Sequence, residues 1–131
     1  MQLTVLERIL LLNLLPKEGN VITLRVVRKV REALSFSDEE QAALDFRHEG
    51  EAVHGQEELP AAERKRVPEG QIVWNQKAEP AKEFRFGETA LKLIRKELTR
   101  LDTDGKLNEP MVPLYDKFFP PPADEEILEV A

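Results

Sequence analysis

His48, Glu49, Glu51 and His54 are side chains of the kind that ligate transition metals, and two histidines six apart converge when the backbone between them turns. Their spacing matches no helical i, i+4 metal site, and a metal centre also needs a second shell to hold it, so they are read as surface residues. Asp102-Thr103-Asp104-Gly105 has the opening of a calcium loop, but the fifth, sixth and twelfth positions are Lys106, Leu107 and Pro113, where an oxygen ligand, glycine and glutamate are required. It reads as a helix-ending turn. The chain holds no cysteine, two serines (Ser35 and Ser37), two histidines, one tryptophan and one tyrosine. Activated nucleophiles and proton shuttles draw on these types in combination, and glycine-rich phosphate loops are absent. The expectation is a protein that is not an enzyme and uses no metal and no cofactor.

Recognition is better served. Arg25, Arg28, Lys29 and Arg31 stand against Glu32 on one predicted helix, and Arg64-Lys65-Arg66 forms a second basic cluster. Together they make a nucleic-acid-binding regulator the alternative reading, with Arg25, Arg28, Lys29, Arg64, Lys65 and Arg66 as the phosphate contacts. Against it, the helix that would enter a groove opens with Asp38, Glu39 and Glu40. Trp74, Tyr115, Phe118 and Phe119 are residue types that serve cores and interface hot spots alike, and Ile127 and Leu128 lie beyond a triple proline that would project them outward. These six are the candidate partner-binding residues.

The elements that must position these side chains follow from capping and periodicity. Thr4-Val5-Leu6-Glu7 is a capping box, predicting a first helix over 5–15 with so little polar face that it must be covered on several sides or self-associate. A second helix over 22–34 puts Leu24, Val26, Val27, Val30, Ala33 and Leu34 on one side. Ser37-Asp38-Glu39-Glu40 starts a third helix over 37–44. Residues 71–76 and 82–86 read as strands joined in a hairpin, with a further strand near 46–49. Between them, 50–70 reads as a long mobile excursion with a helical turn around 60–65. Leu91, Ile94, Leu98 and Leu101 define a fourth helix stopped by Gly105, and Asn108 is placed to cap a last short one. The fold class is α+β, with helices at both ends around a small antiparallel sheet of two or three strands, an outline resembling a winged helix. Residues 1–119 are expected to form one domain, followed by an acidic tail over 120–131.

Of the net charge of −6, Asp124, Glu125, Glu126 and Glu129 put −4 in that tail, which leaves residues 1–119 nearly neutral. The apolar run over 9–15 is too short for a membrane span of ~20 residues and has no signal-peptide flanks, so no membrane partner is expected and the mature chain is taken to start at Met1. Freedom from cysteine suits a reducing cytoplasm. Leu3-Thr4-Val5-Leu6-Glu7-Arg8, Leu15-Pro16-Lys17-Glu18-Gly19-Asn20 and Leu114-Tyr115-Asp116-Lys117-Phe118 together resemble small accessory proteins of phage and prophage genomes. The resemblance implies a protein partner and no activity. The expected function is therefore non-catalytic protein binding as an accessory or regulatory module, with a structural subunit of a larger assembly as the third reading.

Overall fold

The computed structural model describes residues 1–56, 58–78 and 82–120. Three of its five α-helices start on side-chain caps. Thr4 Oγ1 accepts the Glu7 N–H at 3.2 Å while Glu7 Oε1 accepts the Thr4 N–H at 3.0 Å, which opens α1 (Val5–Leu14). Asn20 Oδ1 accepts the Thr23 N–H at 2.8 Å and opens α2 (Val21–Leu34). Ser37 and Glu40 exchange the same pair of bonds at the start of α3 (Asp38–Leu44). By contrast, α4 (Glu88–Thr103) starts at Gly87, which has no side chain to cap it. Asn108 makes no side-chain cap either; the chain enters α5 (Val112–Phe118) through a 3-10 turn over Glu109–Met111, with the Met111 N–H on the Asn108 carbonyl at 3.0 Å.

The calcium-like tetrapeptide is a Schellman turn. Lys106 N–H reaches back to the Leu101 carbonyl at 2.8 Å and Gly105 N–H to that of Asp102 at 3.1 Å, with Gly105 at φ 65° as the motif requires.

The fold is α+β, but the strands pair differently from expectation. β3 (Ile72–Val73) and β4 (Lys82–Glu83) do not form a hairpin with each other. β4 runs antiparallel to β1 (Gln2–Leu3), with Gln2 opposite Glu83, and β3 runs antiparallel to β2 (Arg47–His48), with Arg47 opposite Val73. Burial explains the choice. Phe84, just after β4, is a core residue of the helical layer, and its N–H bonds the Met1 carbonyl at 2.8 Å; Trp74, just after β3, packs on Phe46 at 6.2 Å between ring centroids.

The chain divides into two compact units, residues 1–35 with the segment after 80, and Phe36–Pro80. In the first, α1, α2, α4 and α5 enclose a core that includes Leu3, Leu11, Leu34, Ile94, Leu98, Leu114 and Phe118. The buried seam of α2 is narrower than periodicity suggests: Val27, Val30 and Leu34 are inside, while Leu24 and Ala33 are exposed. On α1 the outcome is reversed, since Glu7 and Arg8 are buried and Leu6 is exposed. In the second unit only Leu44 and Val67 are fully buried apolar side chains among the described residues. Its 50–70 segment folds back on itself: Gly50 N–H bonds Val67 O, Val67 N–H bonds Glu51 O, and Val53 N–H bonds Lys65 O, with a 3-10 turn at Ala61–Glu63.

Candidate interaction groove

Buried charges hold the helices around the candidate site. Arg8 Nε donates to the Leu34 carbonyl at 3.2 Å and its terminal nitrogen to that of Ser35 at 2.9 Å. Both carbonyls lie at the C-terminal end of α2, where the helix has no partners of its own for them and where its dipole favours a cation. The guanidinium also lies 5.3 Å from the centre of the Phe84 ring, so one residue ties α1, the end of α2 and the chain after β4 together. Lys117 does the same for α5, bonding Glu7 Oε1 at 2.5 Å and the Gln2 carbonyl at 2.8 Å. Arg95 Nε, on α4, donates to the Phe118 carbonyl at 3.1 Å.

With these elements anchored, α2 and α4 leave an open groove between them. One hollow, of about 370 Å³, is lined by residues that include Val26, Lys29, Arg85, Phe86 and Glu88; a second, of about 230 Å³, by Ile22, Val26, Leu93, Lys92 and Lys96 among others. They share Val26 and Thr89 and so lie side by side along the groove. Val26, Phe86 and Leu93 give it apolar lining, and the adjoining start of α2 exposes 62% of Val21 and 73% of Ile22. Four cations, Lys29, Arg85, Lys92 and Lys96, stand around it against one carboxylate, Glu88. None of the four makes a hydrogen bond or ion pair among the described residues, whereas Arg8, Arg95, Arg100 and Lys117 all do. The uncapped N-terminus of α4 adds the positive end of a 16-residue helix dipole beside Arg85.

The residues singled out from sequence are dispersed. Arg25, Arg28 and Lys29 are exposed on α2, and of these Lys29 lines the groove. In the second unit, Arg64 Nε bonds the Leu59 carbonyl at 2.8 Å and Arg66 that of Gly50 at 2.7 Å, so both serve the folded-back segment; Lys65 is exposed. Trp74 is half-buried beside Phe46, and its indole nitrogen is buried without a hydrogen-bond partner. Phe118 is a core residue, 1% exposed, which removes its side chain from any accessible surface. Tyr115 and Phe119 are half-buried, their tilted rings 4.8 Å apart between centroids. Burial, and after it the nearby Asp102 carboxylate, raises the Tyr115 phenol above its ordinary 10.0. Ile127 and Leu128 lie outside the described residues.

His54 turns inward, its Nε2 2.7 Å from the Asp45 carbonyl oxygen, while His48 is exposed on β2. The Arg47 guanidinium, 2.7 Å from Asp45 Oδ2, holds that carboxyl below the usual range. Among the described residues no three histidine or acidic side chains gather closely enough to hold a metal, and no helix is long and apolar enough to cross a membrane.

Ile22, Arg85, Phe86, Lys92, Leu93 and Lys96 were not distinguished by sequence reasoning. A signal was present, since Lys92 and Lys96 sit four apart on one helix face, where like charges repel. No protein-family model, no curated protein and no solved structure matches the chain.

Proposed function

We propose that the protein is a non-catalytic protein-binding module that seats an acidic, apolar segment of a partner in the groove between α2 and α4. The observation that carries this reading is the ring of four unpartnered cations around an apolar floor. Placing like charges together costs stability in the free protein, and an anionic segment would offset that cost on binding. The apolar residues supply what a purely electrostatic site lacks, a surface that gains free energy on leaving water. Selecting binders from a random peptide library tests the reading. The selected peptides are expected to combine Asp or Glu with Leu, Ile or Phe, and to lose binding to Lys92→Glu/Lys96→Glu; sequences without acidic residues, or binding indifferent to the double variant, would remove the groove from the account.

The second reading is a nucleic-acid-binding regulator, favoured by the exposed Arg25, Arg28 and Lys29 and by the charge of the first unit, whose described residues hold fourteen basic against ten acidic groups. Exposed Val21 and Ile22 give phosphates nothing to bind, which places this reading second. It requires affinity for duplex or single-stranded oligonucleotides that falls steeply with salt and collapses in Arg25→Glu/Arg28→Glu.

A further inference from the structure

The groove and the last residues of the chain have opposite charge and matching apolar content. Asp124, Glu125, Glu126 and Glu129 set four carboxylates against Lys29, Arg85, Lys92 and Lys96, and Ile127, Leu128 and Val130 supply apolar side chains for a floor that includes Ile22, Val26, Phe86 and Leu93. The tail follows a helix that touches the groove's lining, since the Phe118 ring lies 6.1 Å from that of Phe86. The bond from Arg95 Nε to the Phe118 carbonyl, at 3.1 Å, fixes the end of α5 on the turn of α4 that carries Lys92 and Lys96. From Pro120 the remaining eleven residues reach up to ~36–40 Å when extended, whereas the stretch of α4 from Thr89 to Lys96 is only about 10 Å long.

We infer that segment 124–130 of this same chain docks in the α2–α4 groove and competes there with the partner. The inference rests on the reading of the groove as a site for acidic, apolar segments. Tethering makes a modest affinity sufficient, because a short flexible connection holds the segment at an effective concentration of about millimolar. A partner must then displace the tail, and the protein is self-restrained until one with a better match arrives.

The absence of native cysteine makes the test direct, since Ala131→Cys gives the full chain a unique attachment point for a nitroxide spin label. Amide signals of residues 22–26 and 89–96 are expected to lose most of their intensity in the labelled chain. They should recover in about 1 M NaCl, where the Debye length is ~3 Å, and in Lys92→Glu/Lys96→Glu. Unchanged intensities at these amides, or losses that persist in salt and in the double variant, would overturn the inference. Equal loss when a spin-labelled chain is mixed with an isotope-labelled, spin-free one would also overturn it, assigning the groove to the tail of a second copy. Failure here beside successful selection of acidic peptides leaves the groove standing and removes only its internal occupant; failure of both removes both.

Discussion

Arg8 is where a single side chain decides most. It is 1% exposed, and its guanidinium donates to two carbonyls at the end of α2 and lies against the face of Phe84. Arg8→Met keeps the bulk and leaves both carbonyls without their donor, so it should destabilise the protein by about 2–3 kcal/mol, measured as a lower urea midpoint. Arg8→Lys is expected to destabilise as well, because an ammonium cannot span two acceptors with the planar fork of a guanidinium. Tyr115 offers a pH test free of ambiguity, being the single tyrosine. Its phenol, raised by burial first and Asp102 second, should ionise above 10.0 in an ultraviolet titration. The unfolded chain ionises at the ordinary value, so the stability tied to the neutral phenol is full below about pH 10 and is lost as pH rises through the folded value. Asp102→Asn should bring the titration only part of the way back.

At the scale of elements, α4 carries both the core and the groove. Ala90, Ile94 and Leu98 face inward, while Lys92 and Lys96 flank the outer track. Their mutual repulsion separates a structural role from a binding one. Lys96→Glu turns the like-charge i, i+4 pair with Lys92 into opposite charges and places Glu four residues before Arg100, and should stabilise the helix by about 0.5–1 kcal/mol. The same change should weaken acidic-peptide binding. Thermal melts and peptide titrations on this one variant are therefore expected to move in opposite senses; a loss of both would make Lys96 a structural residue.

For the whole molecule, the two units differ in what holds them. The first encloses helices around a shared core; among its described residues the second has Leu44 and Val67 as fully buried apolar side chains, the aromatic series Phe36, Phe46 and Trp74, and short ladders. Less apolar burial predicts lower stability. Trp74 is the sole tryptophan and lies in the second unit, so its fluorescence should change at a lower temperature than the far-ultraviolet circular dichroism dominated by the helices. Superimposable transitions would show that the units melt as one. Charge is divided as well, since residues 36–80 hold five basic groups against eleven acidic ones, while the described residues of the first unit hold fourteen basic against ten acidic.

The capping boxes at Thr4 and Ser37, the end of α4 at Gly105 and the period of α2 and α4 were all legible in the sequence, because each depends on residues within about one turn of each other. The class, α+β with helices at both ends, follows from those local signals. Strand pairing was not legible: residues 71–76 and 82–86 both look like strands, and only the rest of the fold determines that β4 meets the chain start while β3 meets β2. Nor was the burial of Glu7 and Arg8, whose partners Lys117, Leu34 and Ser35 lie 26 to 110 positions away. The groove belongs to the same category. Ile22, Lys29, Arg85 and Lys96 come from three separate stretches of chain, and their common charge and shared apolar floor exist only once tertiary packing sets α2 beside α4.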